Sequence, residues 1–186
     1  MTYIDGITIL ADTVVEPVSL TDAKNWLRIT NYDTDDDLIQ SLVNGARVHI
    51  EKLTGCSLVN KSVRINVELT PQSQGFWILD VPYGPLICVD EVKMKSGINT
   101  YDTLVKNDEY EVIGGKIWLY TPGIYVIKYQ CGFSSIPEDL ATDILTLTAW
   151  SYENRGKKMN NDVKGRMSEF PSWEGLNYHQ YKKVVI

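Results

Sequence analysis

The sequence predicts an α+β fold: a small α-helical bundle from the N- and C-terminal segments, with an antiparallel β insert between the second and third long helical segments. Two observations carry this prediction. Apolar residues recur at helical spacing near both ends of the chain, whereas between about residues 60 and 130 they alternate with polar residues. The 186 residues and the 44% hydrophobic composition are enough for a folded core.

Composition and periodicity divide the chain into four regions. They are an extended N-terminal lead-in (1–16), a helical body (17–56 and 134–156), a β-rich insert (57–133) and a basic, aromatic C-terminal tail (157–186). We expect the two helical stretches to pack against each other, because the apolar stripe of each one must be buried.

The first predicted helix is short. Ser19 is placed to cap a helix that runs roughly from Leu20 to Leu27, and Asp22 is placed to reach back in a capping box. Trp26 is expected on the apolar side of this helix, together with Ala23.

A longer helix is predicted next. Apolar residues from Leu38 to Leu53 keep the helical period, Asp33 or Thr34 is the expected N-cap, and Gly55 is the expected end. Gly45 in the middle of this helix costs about 1 kcal/mol relative to alanine. Close approach of another backbone at that point is one reason for a glycine there.

The β insert is expected to contain short antiparallel strands separated by glycine and proline. The strand candidates are residues 63–69, 76–79, 87–94, 110–113, 116–120 and 124–129. Gly114 and Gly115 stand between two of these runs, which is a hairpin signal.

A third helix is predicted to follow the insert. Ser135 is the expected cap, Pro137 fits a first turn, and Glu138 completes a capping box. Gly156 is expected to end this helix, whose two adjacent apolar stripes are wide enough to pack on two surfaces.

Charge is distributed unevenly along the chain. Residues 1–155 contain 12 Lys and Arg against 21 Asp and Glu, whereas residues 156–186 contain 6 against 3. An acidic body disfavours a dedicated nucleic-acid binder, because phosphate neutralisation needs clustered cations. The basic tail either docks on an acidic neighbour or is solvated.

No motif of catalysis or metal binding is present, and the sequence predicts no catalytic residue, metal or cofactor. The three cysteines are odd in number and far apart, which is typical of free thiols. The aspartate-rich stretch fails as a calcium loop: counted from Asn31, the sixth and twelfth positions are Asp36 and Leu42 instead of Gly and Glu. No signal peptide or membrane-spanning segment is predicted.

Aromatic residues allow two interpretations in each half of the chain. In the β insert, aromatics could form a saccharide-binding platform or fill the core; they are Trp77, Tyr83, Trp118 and Tyr120. In the tail, aromatics either fold back on the body of the protein or dock on a neighbouring molecule. A carbohydrate- or surface-binding module is therefore the alternative function, and a hydrolase is a more distant one.

Several motifs taken together resemble those of head–tail connector (head-completion, adaptor) proteins of tailed bacteriophages and prophages. The N-terminal motifs are PVSLTDAKNWLRI (17–29), DDDLI (35–39), AR (46–47) and LTG (53–55). The later ones are YQCGF (129–133), IPEDL (136–140) and WSYENR (150–155). Individually these motifs are weak, and it is their order and spacing that carry the resemblance, over both helical ends of the chain.

The resemblance implies a structural subunit with no enzyme activity and no cofactor. It implies a ring matched to the twelve-fold portal vertex, at the head–tail interface of a virion, made in the bacterial cytoplasm and without a membrane. The implied partners are other copies of the chain, the portal protein and a downstream stopper or tail-completion protein, while DNA passes through the channel without sequence-specific binding.

The tail departs from the family pattern. The residues that we assign to a subunit or portal interface, as a hypothesis, are Lys164, Arg166, Phe170, Trp173, Tyr178, Tyr181, Lys182 and Lys183. We expect residues 157–186 to be mobile in the isolated subunit.

Overall fold

The computed structural model describes residues 2–12, 15–29, 33–73, 75–155 and 176–182. The chain divides into two compact units: a β unit of residues 1–15 and 59–134, and a helical unit of residues 16–58 and 135–186. The α+β class predicted from the sequence is confirmed, with α-helices and two antiparallel sheets in the described residues.

The described strands of the β unit form a larger and a smaller sheet. The strands are β1 (Thr2–Asp12), β2 (Lys61–Leu69), β3 (Trp77–Leu79), β4 (Leu86–Lys95), β5 (Tyr101–Thr103), β6 (Tyr110–Ile113), β7 (Lys116–Leu119) and β8 (Gly123–Cys131). The five-stranded sheet has the order β1-β2-β8-β4-β5, and the three-stranded sheet has the order β3-β7-β6. Every strand pair is antiparallel, so short turns can connect neighbours.

The core of the β unit draws on both sheets. Ile65 on β2, Ile127 on β8 and Ile117 on β7 are completely buried in one apolar cluster. Buried aromatic residues satisfy their polar atoms locally: the Tyr129 hydroxyl donates to the carbonyl oxygen of Pro82 at 2.9 Å. The period of two in the sequence is therefore the alternation between this core and the opposite face of the sheet.

The first strand lies where the sequence indicated only an extended lead-in. β1 pairs along its length with β2, for example Ile4 with Val67 and Ile7 with Ile65, and it is an outer strand of the larger sheet. β5 was also not predicted, because three residues are too few to show a period.

Glycine is required by the backbone conformation at two places in the β unit: the turn at Gly114 and Gly115, and Gly132. Gly114 and Gly115 have φ values of +60° and +72° and connect β6 to β7, which confirms the predicted hairpin. Gly132 has a φ of +113°, and a Cβ at that position would collide with the carbonyl oxygen of Val59. A side chain at residue 132 is therefore incompatible with this backbone.

The helical unit contains three α-helices in its described residues, and each of them contacts the other two. The helices are α1 (Leu20–Leu27), α2 (Asp36–Thr54) and α3 (Glu138–Glu153), and a short 3-10 helix follows at Tyr178–Tyr181. Ile39 and Ile50 of α2, and Ile144 of α3, are fully buried, as the apolar stripes predict.

The ends of the helices differ in part from the predictions. Ser19 accepts a hydrogen bond from the backbone N–H of Asp22 at 3.1 Å, and Gly55 ends α2 in the left-handed conformation, so both assignments are confirmed. The caps predicted for the other two helices are wrong, because α2 is preceded by Asp35 and α3 by Pro137, neither with a side-chain capping bond.

The side chain of Trp26 was placed incorrectly, and the reason suggested for Gly45 does not hold. Trp26 is 48% exposed, since the buried face of α1 is centred on Ala23 and Lys24. A Cβ added to Gly45 would meet no described atom within 4 Å, so no described backbone approaches α2 at that point.

A buried ionic network joins the irregular segments around α2. The Arg47 guanidinium, with a side chain only 10% exposed, donates to Glu16 at 2.8 Å and to Glu51 at 3.1 Å. The second oxygen of Glu51 accepts the backbone N–H of Leu58 at 2.8 Å. Arg47 therefore ties the chain before α1, and through Glu51 the chain after α2, to one helix.

Candidate assembly surfaces

A carboxylate of α3 fixes the described C-terminal segment, residues 176–182. Asp143 is 1% exposed and accepts the backbone N–H groups of Asn177 and Tyr178 at 2.7 and 2.8 Å. The amide of Asn177 adds a third bond at 3.2 Å. Burial raises the pKa of Asp143, and these hydrogen bonds act in the opposite direction.

A second carboxylate lies one helical turn earlier on α3. Asp139 accepts the Tyr181 hydroxyl at 2.9 Å and the side-chain amide of Gln180 at 3.0 Å. The hydrogen bond that the Tyr181 hydroxyl donates to Asp139 raises the pKa of Tyr181. Asp139 and Asp143 are four residues apart and therefore share one side of the helix.

The predicted interface residues are divided by this arrangement. Tyr178 is buried and Tyr181 is half-buried within their own helical unit, which is the fold-back interpretation of the tail, while Lys182 is exposed. The remaining residues lie outside the described part of the chain: Lys164, Arg166, Phe170, Trp173 and Lys183. The mobility predicted for residues 157–186 falls mostly on this same undescribed part, and the assignment of all these residues to an interface stays a prediction.

The carboxylates that hold the segment were missed in the sequence. A signal was present, because Asp143 interrupts the apolar stripe of a helix, and a charged residue at such a position is almost never buried without partners. Its partners lie 34 and 35 residues away, a separation that no local pattern reveals.

The turn before α2 is acidic and partly neutralised; residues 33–37 are named the acidic turn here. Lys24 bridges Asp33 at 2.5 Å and Asp36 at 2.8 Å, and these bonds raise the pKa of the lysine. Asp35 accepts the Tyr152 hydroxyl at 2.6 Å. Asp37 is exposed and makes no ion pair with any residue that the structure describes.

The face of the five-stranded sheet that points away from the core, named the open sheet face, is also charged. Its residues on the central strands are Ser62, Arg64, Asn66 and Glu68 of β2, Ile124, Val126, Lys128 and Gln130 of β8, and Cys88, Asp90, Glu91, Lys93 and Lys95 of β4. Glu91 is shared by two lysines, at 2.7 Å from Lys93 and 2.9 Å from Lys128, which lowers the pKa of its carboxyl. Arg64 is directly opposite Lys128 across the β2–β8 pair.

No arrangement for catalysis or metal binding was found among the described residues. No group of three or more His, Cys, Asp or Glu there could hold a metal ion. His49 is exposed on α2, and the Nδ1 of His179 is 2.9 Å from the carbonyl oxygen of Leu176. Cys56, Cys88 and Cys131 form no disulfide bond with one another.

The aromatic residues considered for a saccharide-binding platform do not form a single surface. Trp77 is 3% exposed, and its indole N–H donates to the Thr70 carbonyl at 3.1 Å, so it belongs to the core. Trp118 stacks on Phe76 with 5.3 Å between ring centroids, and Tyr120 is exposed. The core interpretation therefore holds for Trp77.

Among the residues that the structure describes, no helix is both long enough and apolar enough to cross a membrane.

Comparison with known proteins gives a family match that spans α1, α2, β2 and the first two residues of β3. Residues 17–78 match the model of the family described as phage gp6-like head-tail connector protein. The predicted resemblance to the head–tail connector family is thereby confirmed, most directly over those residues. A comparison with curated proteins gave no match.

Solved structures extend the similarity to nearly the whole chain. A chain from the neck of an empty gene transfer agent (GTA) particle, computed with C6 symmetry, is similar with a TM-score of 0.69 and 18% identity over 97% of both chains. A chain of the native GTA virion has a TM-score of 0.69 at 17% identity, covering 97% of this chain and 96% of that one. A chain from the native GTA neck, computed with C12 symmetry, has a TM-score of 0.61 at 20% identity, covering 96% and 97%. At identities of 17–20%, these TM-scores show a shared fold.

Proposed function

We propose that this protein is a structural subunit of a phage head–tail connector ring, which docks on the portal vertex and extends the DNA channel. Its outer end offers the attachment surface for the next connector or tail protein. The observation that carries the proposal is the match of residues 17–78 to head–tail connector proteins, within a chain whose whole fold resembles components of particle necks.

The ring is supported by the symmetry of the similar structures. Two of the similar chains come from necks computed with C6 and C12 symmetry. A closed ring of identical subunits needs a heterologous interface, in which one patch of each copy meets a different patch of the next. One compact unit is built of strands and the other of helices, so each copy carries two different surfaces for such a contact.

The chemistry of the described residues agrees with a role in assembly. An overall charge of −6 disfavours tight binding to the phosphates of DNA, so that DNA can move along a channel. We therefore infer a function without a catalytic step and without a cofactor. The partners are other copies of the chain, the portal protein and a downstream stopper or tail-completion protein.

The proposal is tested by adding the purified protein to DNA-filled heads that carry a portal but lack the connector. Electron microscopy of the vertices is expected to show an added ring on the portal, together with retention of packaged DNA. Heads assembled without a portal are the matched control and should remain bare. Portal-bearing heads that acquire no ring at any protein concentration would contradict the proposal.

A further inference from the structure

The open sheet face concentrates cations on a chain that is otherwise acidic. Four cations, Arg64, Lys93, Lys95 and Lys128, share this face with three anions, Glu68, Asp90 and Glu91. Outside this face, the first 155 residues contain 8 cations and 18 anions. The face is therefore a local positive patch.

The cations of the open sheet face are incompletely neutralised. Glu91 serves both Lys93 and Lys128. Arg64 makes no ion pair with any described residue, although Lys128 stands opposite it, and like charges in directly opposed positions destabilise a sheet. An anionic group brought to this face from another molecule would relieve that repulsion.

The same face has the anatomy of a protein interface. Ile124 is 38% exposed on β8 beside the charged residues, and Val126 is partly buried next to it. Tyr3, on β1, pairs with Glu68, and Tyr101, on β5, pairs with Lys95, so an exposed tyrosine lies on each side of this region. Apolar and tyrosine side chains among charges are typical of protein–protein contacts. Four cations that share a face with three anions are few for a nucleic-acid surface, which the net charge of the chain also disfavours.

We infer that the open sheet face of one copy docks on the acidic turn of a second copy of this chain. The inference rests on the proposed ring function and names the two patches that meet. The acidic turn complements the face in charge, because four of its five residues are aspartates, and within the described part of the chain their ion pairs are with Lys24 and Arg155. The side chain of Asp33 is 85% exposed, and Asp37 is exposed as well.

The proposed contact joins two different patches, as a closed ring of identical copies needs. The open sheet face belongs to the β unit and the acidic turn belongs to the helical unit, so each copy carries both halves of the contact. Two different complementary patches allow the same contact to repeat from copy to copy. Placing the cations in these contacts also keeps them from holding the DNA that passes through the ring.

The test uses charge changes that leave the ion pairs within both patches intact. The face variant combines Arg64→Glu with Lys95→Glu, and the turn variant combines Thr34→Lys with Asp37→Lys. The control variant, Lys52→Glu with Lys116→Glu, changes the net charge as much as the face variant does, at exposed sites outside both patches. Assembly is measured as ring occupancy on portal-bearing heads and, for the protein alone, by sedimentation velocity.

The two reversed variants are expected to lose at least tenfold in assembly, while the control variant assembles like the wild type. A one-to-one mixture of the face and turn variants should recover assembly, because each reversed patch then finds a complementary one on the other variant. Raising the salt concentration should weaken wild-type association, because the Debye length falls from about 10 Å at 0.1 M to about 3 Å at 1 M.

Three results would overturn the inference. If the face variant or the turn variant assembles like the wild type, the patch that it changes is not part of the contact between copies. If the mixture of the two variants fails to recover assembly, the two patches do not bind each other. A face variant that assembles normally but loses affinity for duplex DNA, measured by fluorescence anisotropy, would assign the face to phosphate binding. If the wild type fails to join heads, the proposed function falls, and sedimentation of the mixture against each variant alone still tests the pairing.

Discussion

In the β unit, neighbouring strands satisfy each other's backbone groups and an apolar cluster fills the space between the sheets, whereas in the helical unit the irregular segments are held by buried charged side chains. Arg47 and Glu51 fasten the chain beside α2, and Asp143 fastens residues 176–182 to α3. The difference follows from hydrogen bonding: a strand finds its partners along a ladder, but an irregular segment needs a side chain for each orphan group.

The two units are vulnerable to different changes. Apolar packing involves no titrating group, so it is insensitive to pH, and it loses stability in proportion to the volume removed. A buried ionic contact loses most when one partner is removed, because the other charge stays buried without compensation. Removing apolar volume from the β unit and removing a charged partner from the helical unit should therefore have different consequences.

The largest effect is expected from a cavity in the β unit. Ile127→Ala removes a fully buried side chain from β8 and should lower the free energy of unfolding by about 2–5 kcal/mol. The matched control is Ile124→Ala on the same strand, which removes the same atoms from a side chain that is 38% exposed. Urea unfolding measures both variants, and equal losses would show that the β core does not determine the stability of this unit.

A smaller effect is expected from the ionic network of the helical unit. Arg47→Met keeps most of the apolar stem but leaves Glu16 and Glu51 without their cation, which should cost about 2–3 kcal/mol. Amide hydrogen exchange should rise around residues 16–19 and 56–58 and stay unchanged in the β strands. Unchanged exchange in those two segments would show that Arg47 does not fasten them.

The smallest effect is a difference in the sign of the pH dependence between the units. The folded pKa of Asp143 is raised above its usual 3.8, chiefly by burial, so protons bind more tightly in the folded state. The stability difference between the wild type and Asp143→Asn should therefore fall as the pH rises from 3.8 through the folded pKa. The folded pKa of Glu91 is lowered below its usual 4.5 by Lys93 and Lys128. Its contribution, measured against Glu91→Gln, is complete above pH 4.5 and should disappear as the pH falls through the folded pKa.

Unfolding curves of the wild type, Asp143→Asn and Glu91→Gln across pH 3 to 7 test these signs. Subtracting each variant from the wild type isolates the contribution of the substituted carboxyl from other titrating groups. The same sign for both carboxyls would mean that burial does not dominate at Asp143, or that the two lysines do not dominate at Glu91.

Much of the fold was predictable because its signals are local. The α2 stripe, the alternation in β2 and β8, the Ser19 cap and the Gly114–Gly115 turn each depend on residues that are close in sequence. The misplaced elements are those with short or ambiguous patterns. Trp26 was predicted on a packed face because an eight-residue helix has too few turns to define which side is covered.

The sequence by itself determined the order of the helices and of six of the strands, the lack of a disulfide framework, the acidic body and the resemblance to connector proteins, because periodicity, composition and motifs are properties of neighbouring residues. Only the tertiary structure decided that β1 completes the larger sheet, that Asp139 and Asp143 hold residues 176–182, and that Arg64 stands opposite Lys128. These contacts join residues from 34 to 67 positions apart, and packing alone selects such partners.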